Sequence, residues 1–111
     1  MRSHLLLPED ESFLAVLERV RITSHVRREK YSYHLRLEGQ NVGRWDFEPV
    51  YGPDSAYHVN PMTGEQHLIP AERVTVVQVV EMSWVAHAEW HNSSKKVPPD
   101  IWAITRSHLN L

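Results

Sequence analysis

Between residues 31 and 38, Tyr31, Tyr33, Leu35 and Leu37 alternate with Ser32, His34, Arg36 and Glu38. A period of two sends the first set to one face of a β-strand and the second to the other, so the chain must build a sheet buried on one side and wet on the other. Trp45 and Phe47 resume the pattern after the stretch 39–43, which carries a glycine at each end. Residues 30–48 therefore predict a hairpin with His34, Arg36, Arg44, Asp46 and Glu48 on its polar face.

Register decides what that polar face means. Apolar residues must oppose apolar ones, so paired residue numbers must sum to an even value. One solution is a three-residue loop pairing Arg36 with Arg44 and His34 with Asp46. The other is a five-residue loop pairing Arg36 with Asp46, His34 with Glu48 and Glu38 with Arg44. The first sets like charges opposite each other, at a cost of the order of 0.2–1 kcal/mol, but makes a histidine–carboxylate pair of the kind that orients a general base. The second satisfies every charge by ion pairing.

At 111 residues and 41% hydrophobic content, the chain predicts one domain, 1–111, with a single core. It has no cysteine, no leader-like opening and no apolar run near ~18 residues, which predicts a cytoplasmic protein with no membrane association. Leu5, Leu6 and Leu7 are too few for an anchor and read as a docked terminal strand.

The net charge of −2 hides an asymmetry. From Arg19 to Arg44 there are seven cations (Arg19, Arg21, Arg27, Arg28, Lys30, Arg36 and Arg44) against two acids. From Trp45 to His91 there are seven acids against Arg73. Basic residues interleaved with Tyr31, Tyr33 and Trp45 suit an RNA surface, since cations neutralise phosphates and rings stack on bases. The alternative is that the two halves neutralise each other in the fold.

Elsewhere, Phe13, Leu14, Val16, Leu17 and Val20 have helical spacing, so a short helix or turn over 8–17 is expected to lead into a strand over 18–26. Turn signals around Gly52-Pro53-Asp54 and from Asn60 to Gly64 bracket two strands, 56–59 and 66–69. This second hairpin sets His58 opposite His67 if Val59 pairs with Gln66. The two imidazoles could act as acid and base or bind a metal, although no third ligand stands at recognisable spacing. Solvated edge histidines are the alternative. Pro70 opens a segment whose Val74, Val77, Val80, Trp84 and Ala88 form a helical stripe. His87 and His91 share a helical face there, but Glu89 is not placed as in HExxH, so no metal is expected. After Pro98-Pro99-Asp100, the residues Ile101, Trp102, Ile104 and Leu109 predict a short amphipathic element.

The order Tyr31-x-Tyr33-His34, then Arg44-Trp45-Asp46, then His58 and His67 around a turn, then a proline and a helix, resembles small bacterial toxins of the TumE type and related families of unknown function. The likeness spans about residues 30–90, and Phe47 stands where that pattern has asparagine. It implies a toxin–antitoxin component acting on RNA, with a cognate antitoxin as partner and Arg44, Asp46, His58 and His67 as site residues.

The expected fold is α+β: an antiparallel sheet of about four or five strands built from hairpins, packed by one main helix from about Pro70. The expected function is a small RNA-directed toxin, extending to a metal-independent ribonuclease that needs no cofactor. His58 or His67 would take the 2′-hydroxyl proton, the other would protonate the leaving oxygen, Arg36 or Arg44 would balance the phosphorane charge, and Asp46 would orient an imidazole. Arg19, Arg21, Arg27, Arg28, Arg36 and Tyr33 would hold the RNA. The alternative is a non-catalytic protein-binding module whose aromatic sheet edge and Trp102 tail dock a partner; a homodimer is compatible with either.

Overall fold

A computed structural model describes the backbone of residues 2–6, 12–22, 26–48 and 55–111, and the side chains of 12, 14–18, 30–48 and 55–111. Six strands, β1 (Arg2–Leu6), β2 (Phe13–Ile22), β3 (Val26–Leu37), β4 (Gln40–Phe47), β5 (Ser55–Val59) and β6 (Gln66–Pro70), pair antiparallel in chain order. A 3₁₀ turn, Ala71–Arg73, leads to α1 (Val76–Asn92) and α2 (Ile101–Leu109). The expected α+β architecture is the observed one, with β1 bringing the sheet to six strands.

The helix or turn expected over 8–17 is replaced, where the backbone is described, by strand β2 from Phe13. Helical spacing loses here because β2 is paired on both sides, Leu14 with Leu5 of β1 and with Leu35 of β3. Two ladders of backbone hydrogen bonds outweigh the weak preference of a short apolar pattern. Residues 7–11 and 23–25, where the rest of the expected helix and the end of the expected strand fall, lie outside the described residues.

Neither expected hairpin register occurs. Leu37 pairs with Gln40 around a two-residue turn in which Glu38 (φ 46°) and Gly39 (φ 86°) both take positive φ. That is the geometry of a type I′ turn, whose twist matches the flanking strands. The turn alone would give the wrong parity. A bulge at Val42 restores it, since Arg36 pairs with Asn41 but Leu35 with Gly43, so that Tyr33 meets Trp45 and His34 meets Arg44.

One face of the sheet is the core. Leu14 and Val16 of β2, Tyr31, Tyr33 and Leu35 of β3, Trp45 and Phe47 of β4, Ala56 of β5 and Ile69 of β6 are all buried there. Tyr31 stacks with Tyr33 and Phe47 at ring separations of 5.1 and 5.3 Å. Their hydroxyls are satisfied at the rim: Tyr31 donates to the Ala71 carbonyl (3.2 Å) and Tyr33 to the Glu18 carboxylate. Trp45 is fully buried and its Nε1–H donates to Thr105 Oγ1 of α2 at 3.1 Å. α2 sits close to β4 because position 43 is glycine; a Cβ there would lie 3.0 Å from Ile101 Cγ2.

α1 begins later than expected. Pro70 ends β6, and the Thr75 side chain caps the helix by accepting from Gln78 N–H (3.2 Å). Its buried face is Val79, Met82, Ser83, Ala86, His87 and Trp90. The expected stripe has the right period and the wrong phase: Val77 and Trp84 are 62% and 61% exposed. Apolar residues occur all round the first three turns, so periodicity alone could not orient it. α2 matches expectation, with Asp100 as N-cap accepting from Ala103 N–H (3.0 Å) and with Ile101, Thr105 and Leu109 buried.

Candidate functional site

The opposite face of the sheet carries a groove of about 530 Å³ crossing five strands, lined by Leu17, Lys30, Ser32, His34, Arg44, Asp46, Tyr57, Val59 and Gln66 among others; no helix residue lines it. Strand alternation delivers these side chains. Ser32 pairs with Asp46, Asp46 with Tyr57, His34 with Arg44 and Arg44 with Val59. The ladder therefore brings a hydroxyl, an imidazole, a guanidinium, a carboxylate and a phenol onto one surface.

Asp46 is the hub of that surface. Its Oδ2 accepts from Arg44 Nη2 at 2.7 Å, and its Oδ1 accepts the Ser32 hydroxyl at 2.6 Å. Ser32 Oγ also lies 2.7 Å from His34 Nε2. Serine has one proton and has given it to Asp46, so Nε2 of His34 is the donor. At neutral pH, where the imidazole has lost its charge, this fixes the Nε2–H tautomer and leaves Nδ1 as the basic nitrogen. Burial is the largest influence on His34, lowering its pKa from the ordinary 6.5; Arg44 lowers it further, and Asp46 partly offsets both. The order is imidazole to hydroxyl to carboxylate. A serine hydrolase needs the reverse, with the hydroxyl giving its proton to the imidazole, so Ser32 is not an activated nucleophile. Lys30 and Glu48 pair at 3.5 Å at the groove's end.

The expected His34–Asp46 relation is therefore present, with both groups on one face and 3.9 Å between Nε2 and Oδ1. The convergence of His58 and His67 with Arg44 and Asp46 is not. His58 does pair with His67, as expected, but it also pairs with Trp45, so both imidazoles share the core face and the sheet separates them from Arg44 and Asp46. One phosphate cannot touch both sets.

His58 is 1% exposed, and neither ring nitrogen has a hydrogen-bond partner among the described residues. It sits against Trp45 (6.0 Å), His67 (6.2 Å) and Trp102 of α2 (5.6 Å). Burial, then the neighbouring His67, lower its pKa to about 4, against a smaller opposing pull from Asp100 and Glu65. His67 stacks flat on Trp102, 4.1 Å apart with 2° between planes, and its Nε2 lies 2.8 Å from Glu65 Oε1.

Of the residues expected to hold RNA, Tyr33 is fully buried in the core and cannot stack on a base. The alternation that made it conspicuous also turned it inward. Arg36 lies half-buried on the open face. The side chains of Arg19, Arg21, Arg27 and Arg28 lie outside the described residues. Sequence reasoning missed Ser32 and Tyr57, though each could have been found as the strand neighbour of a residue it did weigh. His87 and His91 are 6.0 Å apart, and no group of three or more metal-ligating side chains occurs among the described residues. No described helix is long and apolar enough to cross a membrane. Neither protein-family models, characterised proteins nor solved structures give a match to this chain.

Proposed function

We propose that the protein is an RNA-directed component of the small-toxin type, which contacts RNA through the open face of its sheet. The observation that supports this reading is the groove itself: a phenol at Tyr57 and an imidazole at His34 with the cations Lys30 and Arg44 beside them, on a surface no described helix residue lines. Rings stack on unpaired bases and cations meet phosphates. Such a role belongs in the cytoplasm. For cleavage, His34 replaces His58 and His67 as the candidate base, being the imidazole beside Arg44 and uncharged at neutral pH.

Binding of a short fluorescent oligoribonucleotide to variants tests the reading. Tyr57→Ala is expected to weaken binding by roughly 5- to 100-fold, the range expected for losing one base–aromatic stack. Arg44→Ala is expected to lower the steepness of the salt dependence by about one phosphate contact. Equal binding by wild type and both variants would remove the proposal.

The exposed face of α1, with Val76, Val77, Val80 and Trp84 around a shallow apolar hollow, favours a second reading in which the chain docks on a protein, a cognate antitoxin or a second copy. That reading and the first are compatible, since the two surfaces lie on opposite sides of the sheet.

A further inference from the structure

His58 is the one imidazole buried without a hydrogen bond among the described residues, and it lies beneath a helix that has little to hold it on its own. α2 is nine residues long, too short to be stable in water by itself. It packs beside α1, where His108 meets Glu81, and its seat on the sheet includes Ile101 against Gly43, Thr105 accepting from the Trp45 indole, the Leu109 carbonyl accepting from Arg73, and Trp102 over the two imidazoles. We propose that α2 is a proton-sensitive cover: it stays seated while His58 is neutral, and protonation of His58 lifts Trp102 and uncovers His58, His67 and the Trp45 ring.

The groups around His58 argue for that direction. From β4 it meets the Trp45 ring, which offers no acceptor to a second N–H. From β6 it meets His67, a further cation once protonated, whose own Nε2 lies by Glu65. From α2 it meets the Trp102 ring, with the Asp100 carboxylate at the helix start committed to capping Ala103 N–H. Glu65 and Asp100 pull weakly the other way. A charged imidazole here would keep two buried donors unsatisfied, which is costly, whereas lifting α2 gives both to water. Elsewhere on α2, His108 lies 2.9 Å from Glu81 of α1 and tethers the far end of the helix, so α2 is expected to loosen around Trp102 first.

Amide hydrogen exchange, corrected for the intrinsic pH dependence of exchange, reads the opening of α2 against that of β3 and β4. With a pKa of about 4 when seated and the ordinary 6.5 when exposed, the open population is expected to rise about twentyfold from pH 7 to pH 5. The β3 and β4 amides should stay protected. His58→Phe should abolish the rise, while Asp100→Asn, which keeps the cap and removes the titrating carboxylate, should retain it. An opening independent of pH, a rise shared equally by β3 and β4, or a rise surviving in His58→Phe would overturn the proposal. Should His58→Phe not fold, NMR titration of His58 in the wild type decides: a value near 6.5 overturns the proposal, and one well below it supports the cover. None of these readouts involves RNA.

Discussion

Trp45→Ala is expected to destabilise the fold by about 3–5 kcal/mol, the usual range for truncating a fully buried tryptophan, and to lower Tm by roughly 15 °C or more. Trp45 earns this weight by position. It lies on the central strand pair opposite Tyr33, edges onto His58, and ties the sheet to α2 through Thr105. Trp45→Phe keeps most of the ring contact but leaves the Thr105 hydroxyl buried without its donor, so a smaller loss of about 1–2 kcal/mol is expected. Urea unfolding of the two variants separates volume from hydrogen bond. Equal losses would mean that packing contributes little at this site.

Stability should also fall in mild acid, and His58 should account for much of it. Its folded pKa, about 4, lies below the ordinary 6.5 of an exposed imidazole. The unfolded chain therefore binds the extra proton first. Stability is complete above about pH 6.5, declines as pH falls from there to about 4, and loses no more to this group below that; the total is at most about 3 kcal/mol. Urea midpoints across this window measure it. His58→Phe should flatten the curve, and an unchanged slope in that variant would assign the acid sensitivity to carboxylates instead.

The sheet was legible because its signal is local. Alternation at 31–38 identified the inward residues of β3, and the turn from Asn60 to Gly64 set the β5–β6 register, so His58 and His67 fall opposite each other as expected. The β3–β4 register was not legible. It depends on Glu38 leaving the strand for a positive-φ turn and on Val42 bulging, and neither residue type is typical of its conformation. The phase of α1 was hidden for a different reason. Valines surround its first turns, and the choice of buried face fell to Met82 and Trp90 further along, whose volume fills the space over the sheet.

The candidate site failed at one inference that the sequence did contain. With Trp45 inward, its neighbours Arg44 and Asp46 must point outward, and any residue paired directly with Trp45 must share the core face. His58 is that residue. What remained hidden was that β4 pairs with β5 in the register that sets Trp45 opposite His58.

The central claim is that the open face, and not the histidine pair under α2, meets RNA. An amide and side-chain NMR titration with a short oligoribonucleotide at neutral pH tests it most directly. The account predicts shifts concentrated at Ser32, His34, Arg44, Asp46 and Tyr57, with His67, Trp102 and the α1 residues Val77 and Trp84 unmoved. Shifts centred on His67 and Trp102, with the open face silent, would contradict it.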